Sequence, residues 1–283
     1  IMSGILYLCA TPIGNLEDIT LRVLRTLKEA DLIAAEDTRN TIKLLNHFNI
    51  KTPMTSYHEH NKTSKAVYLV GRLLDGINIA LVTDAGTPGI SDPGEEIVKK
   101  AYEAGIQVTS LPGACACITA LTLSGLPTRR FAFEAFLPSD KKERKTIISS
   151  IKDETRTTII YEAPHHLKNT LSELYSTLGN RKITICRELT KIHETVQLTT
   201  LQEAENYYRQ NQPKGEYVLI LEGCSIDEIE TKKQENWQQI SISSHMDIYL
   251  SKGIPKKEAM KKVASDRGIS KRDVYNYLLN SNE

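Results

Sequence analysis

The stretch Val82–Gly94, VTDAGTPGISDPG, holds three glycines, two prolines and two aspartates directly after the apolar run Ile79-Ala80-Leu81-Val82. A glycine-rich loop after a strand commonly cradles phosphate, because its backbone N–H groups converge on the anion. This loop has no lysine or arginine, and its acids repel an anion, which argues against a P-loop. No Gly-x-Gly-x-x-Gly run occurs either, so the dinucleotide fingerprint is absent. Three further polar, Gly- or Pro-containing clusters follow apolar runs: Thr11-Pro12-Ile13-Gly14-Asn15, Glu36-Asp37-Thr38-Arg39 and Pro112-Gly113. One such cluster alone reads as turn punctuation. Four at strand ends point to a ligand crevice. Metal chemistry has little support. His58 and His60 have no evident third ligand, and Cys115 and Cys117, two apart on an expected helix, do not share a face.

The elements that position these loops alternate. Ile5–Cys9, Leu32–Ala35, Ile79–Val82 and Val108–Leu111 read as buried strands. Between them lie helical patterns: one capped by Thr20 and spaced by Leu21, Leu24 and Leu27, one through Ile42, Leu44 and Leu45, one over 64–74, and one over Glu95–Ala104 that stops at Gly105. This βαβα order predicts a mostly parallel sheet with helices on both faces. After a helix over 114–123, strands at 131–136, 157–161, 183–187, 195–198 and 217–221 mix with helices near 140–151, 165–178 and 201–210, which predicts a mixed α+β domain. Residues 225–239 are polar and lack apolar periodicity, and are expected to be a linker. The expected domains are therefore 1–114, 115–224 and, beyond the linker, a small basic helical unit at 240–283.

The chain has 283 residues and a net charge of only +1, so affinity for nucleic acid requires a local patch. The tail supplies one. Lys252, Lys256, Lys257, Lys261, Lys262, Arg267, Lys271 and Arg272 face only Glu258 and Asp266 between residues 252 and 272. A solvated helix face is the ordinary reading of such a run. On a unit resembling helix-turn-helix, Lys256, Lys257, Lys261, Lys271 and Arg272 are candidates for RNA phosphate contact, with Tyr275 and Tyr277 as stacking residues or core. Five cysteines, mostly in apolar runs, suit reduced thiols in a cytoplasm. No window approaches a membrane span and no export signal is expected.

The segments CATPIGNLEDITLRVLRTL, AAEDTR, VTDAGTPGISDPG, SLPGACACITAL, YEAPHHL, ICRELTKIHE and GEYVLILEG run in order from about Leu6 to Gly223. Together they resemble the tetrapyrrole-methylase superfamily and, more narrowly, the small-subunit (16S) ribosomal RNA cytidine 2′-O-methyltransferases. The resemblance implies two α/β domains with S-adenosylmethionine in the cleft between them, and a homodimer. It implies a cofactor wall of Asp84, Ala85, Gly86, Thr87, Pro88, Ile90 and Ser91, with Pro12, Ala114, Tyr161 and Glu162 as additions. Glycine backbone would lie close to the ligand and Asp84 near its sulfonium; turn capping is the competing role for Asp84. A ribose hydroxyl needs a general base. Glu36, Asp37, His58, Glu59 and Glu188 are candidates, and Arg39 and Arg187 are candidates for backbone phosphate. Each has a plainer role: helix capping for Glu36-Asp37, a surface loop for His58, an ion pair for Arg187-Glu188. A tetrapyrrole-precursor methylase and a non-catalytic RNA-binding assembly factor are the alternatives.

Overall fold

The computed structural model describes residues 2–280. One compact unit comprises 1–151 and 156–222, and a second comprises 152–155 and 223–283. Residues 1 and 281–283, the ends of the expected first and last domains, lie outside the described residues.

The first unit contains two α/β domains. The first domain runs β1 (Leu6–Cys9), a single 3-10 turn (Leu16–Asp18), α1 (Leu21–Glu29), β2 (Leu32–Ala35), α2 (Thr38–His47), β3 (Met54–Ser56), α3 (Lys62–Leu74), β4 (Ile79–Val82), α4 (Gly94–Glu103) and β5 (Val108–Leu111). Its sheet has the order β3-β2-β4-β1-β5, with every pairing parallel. Alternate side chains go to opposite faces. Ala34, Ile79 and Leu81 pack with Leu69 and Leu73 of α3 and Ile97 of α4. Ile33, Ala35, Ala80 and Val82 pack with Val23 and Leu27 of α1 and Leu45 of α2. Each fully buried Leu or Ile among them contributes about 1.5–3 kcal/mol. Thr20 caps α1 through Val23 N–H at 3.1 Å, as its sequence position suggested. Strand β3 was not among the expected elements; three residues are too few to show an alternation.

The second domain runs α5 (Ala116–Leu123), β6 (Phe131–Phe136), α6 (Lys141–Ile151), β7 (Thr157–Glu162), α7 (Leu167–Leu178), β8 (Lys182–Arg187), β9 (Thr195–Thr200), α8 (Leu201–Gln210) and β10 (Tyr217–Leu221). Its sheet is mixed, in the order β6-β7-β10-β8-β9: β6 and β7 are parallel and the other pairs antiparallel. Helices α6, α7 and α8 cover one face through Ile148, Leu171, Leu174 and Leu201. Helix α5 covers the other through Cys117, Ala120 and Leu121.

The second unit corrects one expectation. Residues expected to be a linker form helix α9 (Ile226–Gln238), followed by α10 (Ile242–Leu250), α11 (Lys256–Arg267) and α12 (Lys271–Asn280). No residue of α9 is buried, so it shows no apolar stripe. Trp237 at its end nevertheless stacks on His245, with ring centroids 3.7 Å apart and planes 7° apart. His245 is fully buried. It accepts from Arg267 Nε at Nδ1 (3.2 Å), while Nε2 lies 3.2 Å from Asp266. An acceptor at Nδ1 fixes the neutral tautomer with its proton on Nε2. Arg267, counted above in the basic tail, is itself buried and also donates to Ile240 O at 2.6 Å.

Burial, opposed by Asp266 and assisted by Arg267, pushes the pKa of His245 below the usual histidine range. The unfolded chain therefore takes up a proton at this site before the folded chain does. The second unit is expected to lose stability as the pH falls through about 6.5. Trp237 is the single tryptophan, so its emission follows this unit. A denaturation midpoint by tryptophan fluorescence that is unchanged between about pH 7.5 and 5.5 would contradict this account.

Candidate functional site

Parallel pairing brings the carboxyl ends of β1, β2, β4 and β5 to one edge, and backbone pairing then locks their loops together. Thr11 and Gly86 form an isolated antiparallel bridge: Thr11 N–H donates to Gly86 O at 2.9 Å and Gly86 N–H to Thr11 O at 3.0 Å. Gly86 has φ +87°, and a Cβ there would lie 3.3 Å from Ile13 Cγ2 and 3.4 Å from Ala114 O. Gly113 is required by close approach, since a Cβ there would sit 2.6 Å from Ala10 Cβ. The Thr87 hydroxyl donates to Ala114 O at 3.0 Å. Asp92 closes the loop on itself, accepting from the N–H groups of Gly89, Ile90 and Gly94 at 2.8–3.2 Å. The backbone N–H and C=O of Gly86 are thus both engaged by Thr11. Its role is to let the loops meet.

A cavity of about 420 Å³ opens against this loop. Of the expected cofactor-wall residues, Asp84, Ala85, Gly86, Thr87, Ile90, Ser91, Tyr161 and Glu162 line it. Pro88 and Ala114 do not, although Ala114 O holds Thr87 in place. Pro12 lines a neighbouring cavity. Ile13, Glu36, Thr83 and Asp92 complete the first-domain side, and the rest of the wall comes from the second domain and its approach: Cys115, Ala116, Phe136, Ala163, Pro164, Cys186, Leu189, Glu216, Tyr217 and Val218. Cys115 and Ala116 fall in SLPGACACITAL, Ala163 and Pro164 in YEAPHHL, Cys186 and Leu189 in ICRELTKIHE, and Glu216 to Val218 in GEYVLILEG, but nothing in their local spacing marked them as cavity lining. Tyr161 is set edge-on to Phe133 and Phe136, at 5.0 and 5.6 Å, and its hydroxyl accepts from Cys117 N–H at 3.0 Å.

The charged lining is one-sided: Glu36, Asp84, Asp92, Glu162 and Glu216, with no lysine, arginine or histidine. Most of these carboxylates are engaged. Glu36 accepts from the Thr83 hydroxyl at 2.5 Å and from Asp84 N–H at 3.3 Å. Glu162, buried, accepts from Ala163 N–H at 2.7 Å and from the Thr170 hydroxyl. Glu216 takes Lys191 at 2.8 Å. Asp84 accepts one N–H, that of Asp37, at 3.1 Å. Burial, and then the charge of Glu36, raise its pKa above the usual aspartate range.

The remaining sequence candidates divide clearly. Asp37 caps α2 through Arg39 N–H (2.8 Å) and pairs with the Arg39 guanidinium, which holds its carboxyl down at about 2. So low a pKa makes a weak base. Glu188 does not line the cavity. Burial alone would raise its pKa, but Lys191 at 2.9 Å and the Glu216 N–H at 2.8 Å outweigh burial and lower it. His58 lies in the loop after β3, with an enclosed Nδ1 that has no partner, and lines neither cavity. Glu59 pairs with Lys62. Arg39 is exposed beside Asp37. Arg187 ends β8 with its Nε enclosed and unpartnered. In the second unit, Lys256 and Lys257 line a shallow groove with Tyr275 and Leu279, while Lys261, Lys271 and Arg272 lie elsewhere on α11 and α12.

The neighbouring cavity, about 350 Å³, lies between the Thr11–Leu16 segment and α2. Asn40, Thr41, Lys43, Leu44 and His47 line it from α2. Thr83 and Asp84 belong to both cavities.

Comparison with known proteins agrees with this geometry. The profile of the Tetrapyrrole (Corrin/Porphyrin) Methylases matches residues 5–205. The "Ribosomal RNA small subunit methyltransferase I" of Halalkalibacterium halodurans is 52% identical, over 96% of this chain and 94% of that protein. The protein of the same name from Bacillus subtilis is 48% identical, over 96% and 93%. Among solved structures, diphthine synthase superposes with a TM-score of 0.60 at 15% identity, over 78% of this chain and 90% of that one. Uroporphyrin-III C-methyltransferase from Thermus thermophilus, complexed with S-adenosylhomocysteine, gives 0.53 at 19% identity, over 77% and 97%. At such identities the structures speak for the fold.

Proposed function

The chain belongs to the tetrapyrrole (corrin/porphyrin) methylase family, and from that premise we propose that it is an S-adenosylmethionine-dependent methyltransferase of small-subunit ribosomal RNA, acting on the 2′-hydroxyl of a cytidine. The observation that carries the cofactor is the lining of the larger cavity: carboxylates and apolar walls without a single basic side chain. A phosphate-bearing dinucleotide would be repelled there, whereas a sulfonium cation with an uncharged adenosine suits it. The names of relatives about half identical over almost the whole chain carry the substrate. A tetrapyrrole acceptor has no comparable support.

Asp84 to Thr87, Ile90 and Ser91 would hold the cofactor on one side, with Tyr161 and Glu162 on the other. When bound, it supplies an electrophilic methyl carbon. The protein contributes alignment, which accounts for much of the acceleration in such displacements. It also contributes a carboxylate to accept the hydroxyl proton: Glu36 is the one base candidate of the sequence that lines the cavity, and Asp84, expected on the cofactor wall, is a second carboxylate there. Small subunits place the reaction in the cytoplasm. Among the described residues no helix is long and apolar enough to cross a membrane. The exposed Lys256, Lys257, Lys261 and Arg272, with the half-buried Lys271, would meet RNA phosphates. The homodimer also belongs to this reading: Ile118 and Leu123 on α5 and Leu198 on β9 are exposed apolar side chains, and Gly125 lies against Leu198.

Incubation with methyl-labelled S-adenosylmethionine is expected to label small-subunit RNA, free or assembled, with the mark on a cytidine 2′-oxygen. A label confined to bases, or none on either substrate, would remove the assignment. Exchanging Lys256, Lys257 and Lys261 for Glu is expected to weaken RNA binding at least about tenfold and flatten its salt dependence, with cofactor affinity unchanged. Equal RNA affinity would dismiss the tail as a contact. Light scattering is expected to give twice the chain mass, falling to the single mass for Leu198→Glu. A monomeric parent protein would dispose of the dimer.

A further inference from the structure

The second cavity has a chemistry opposite to the first. Its only carboxylate is Asp84, which it shares with the cofactor cavity, and it presents Lys43 and His47. Asn40, Lys43 and His47 are spaced three and four apart along α2, so they stand on one helix face. All three are exposed. Among the described residues, none of their side chains makes a hydrogen bond or ion pair within the protein, apart from the edge contact of His47 with Phe48. Opposite them, Pro12 and the 42%-exposed Leu16 form an apolar edge. A row of unengaged donors facing an apolar edge suits a ligand with both phosphate and a flat ring. The volume, about 350 Å³, falls among small-ligand sites.

The position is as informative as the lining. Transfer of a methyl group is an in-line displacement, so the acceptor must reach the methyl carbon from the side away from sulfur. An acceptor therefore needs a space adjoining the cofactor cavity. The second cavity adjoins it at Thr83 and Asp84. Both residues are fixed: the Thr83 hydroxyl donates to Glu36 at 2.5 Å, and Asp84 is held by the N–H of Asp37 at 3.1 Å.

We propose that the cavity between the Thr11–Leu16 segment and α2 is the acceptor subsite, in which Asn40, Lys43 and His47 hold the phosphate and ribose of the target ribonucleotide and Asp84 receives the proton of its hydroxyl. This rests on the methyltransferase reading above and names the site its substrate occupies. The acceptor oxygen bonds to the methyl carbon while the carbon–sulfur bond breaks. The bonding pair leaves with sulfur, and the hydroxyl proton passes to an Asp84 carboxylate oxygen. Asp84 suits that task better than Asp37, which Arg39 keeps strongly acidic.

The test compares wild type, the Lys43→Ala/His47→Ala double variant and Asp84→Asn. The double variant changes only exposed side chains, so folding is expected to be intact, as circular dichroism would check. It is expected to bind small-subunit ribosomal RNA about tenfold more weakly, to show a shallower salt dependence, and to raise the KM for RNA. Its kcat and its calorimetric affinity for S-adenosylmethionine should stay within about twofold. Asp84→Asn is expected to lower kcat by at least about a hundredfold and to remove the acidic limb of the pH–rate profile, with RNA affinity retained. A double variant equal to wild type in RNA affinity and KM overturns the subsite. Asp84→Asn with an unaltered pH profile overturns the proton acceptor. Wild type without transfer to RNA overturns the functional reading, a separate result, because the binding comparison needs no turnover.

Discussion

Two backbone hydrogen bonds between Thr11 and Gly86 are the constraint on which the site depends. They join the loops that leave β1 and β4, which are neighbours in the sheet. The bridge requires φ +87° at Gly86 and leaves little space for a Cβ. With those loops fixed, Thr87 reaches Ala114, the β5 loop closes over Ala10 at Gly113, and Asp84 is left where two cavities meet. The order of the parallel strands dictates this. Only adjacent strands ending on one edge bring two such loops within hydrogen-bonding distance.

Charge then divides the edge. Acids without a cation line one cavity, while Lys43 and His47 stand in the other. Asp84 bears the electrostatic cost of that division, because burial and the neighbouring Glu36 both disfavour its charge. Glu36 is engaged by a hydroxyl and an N–H; Asp92 takes three N–H groups, yet burial and the charge of Glu36 still raise its pKa. Asp84 accepts one N–H and is exposed, and a carboxylate with a raised pKa where two cavities meet is well placed to take a proton.

Much of this was legible in the sequence, and the limits have physical causes. Strands β1, β2, β4 and β5 are short apolar runs followed by Gly, Pro or acidic clusters, so both strand and loop left marks. The loop residues at the cavity were found for that reason. Phe136, Leu189 and Glu216 to Val218 were not, because they reach the cavity only through the pairing of β6, β7, β8 and β10, which no local spacing encodes. Helix α9 escaped for a different reason. It buries no side chain, so apolar periodicity had nothing to report, and its anchor is the single stack of Trp237 on His245. Arg267 shows the reverse error: its charge counted toward a surface patch, yet it is enclosed by the groups that accept from it.

Backbone strain marks the same place as the charges. Among the described residues, the non-glycine positions with positive φ are Asn49, Ser91, Ala135, Glu188 and Thr190. Ser91 lines the larger cavity. Ala135 follows the register shift in β6 and precedes Phe136, which lines it; Glu188 and Thr190 flank Leu189, which also lines it. Such conformations cost about 1–3 kcal/mol each, and only Asn49 is a residue type that tolerates the left-handed region well. Regular strand geometry would carry Phe136 and Leu189 onward along β6 and β8. The left-handed residues turn them instead onto the wall facing the Asp84 loop. The buried faces of the two sheets supply the stability that holds these turns, so the packing that makes the fold also sustains the irregular backbone that shapes the cavity.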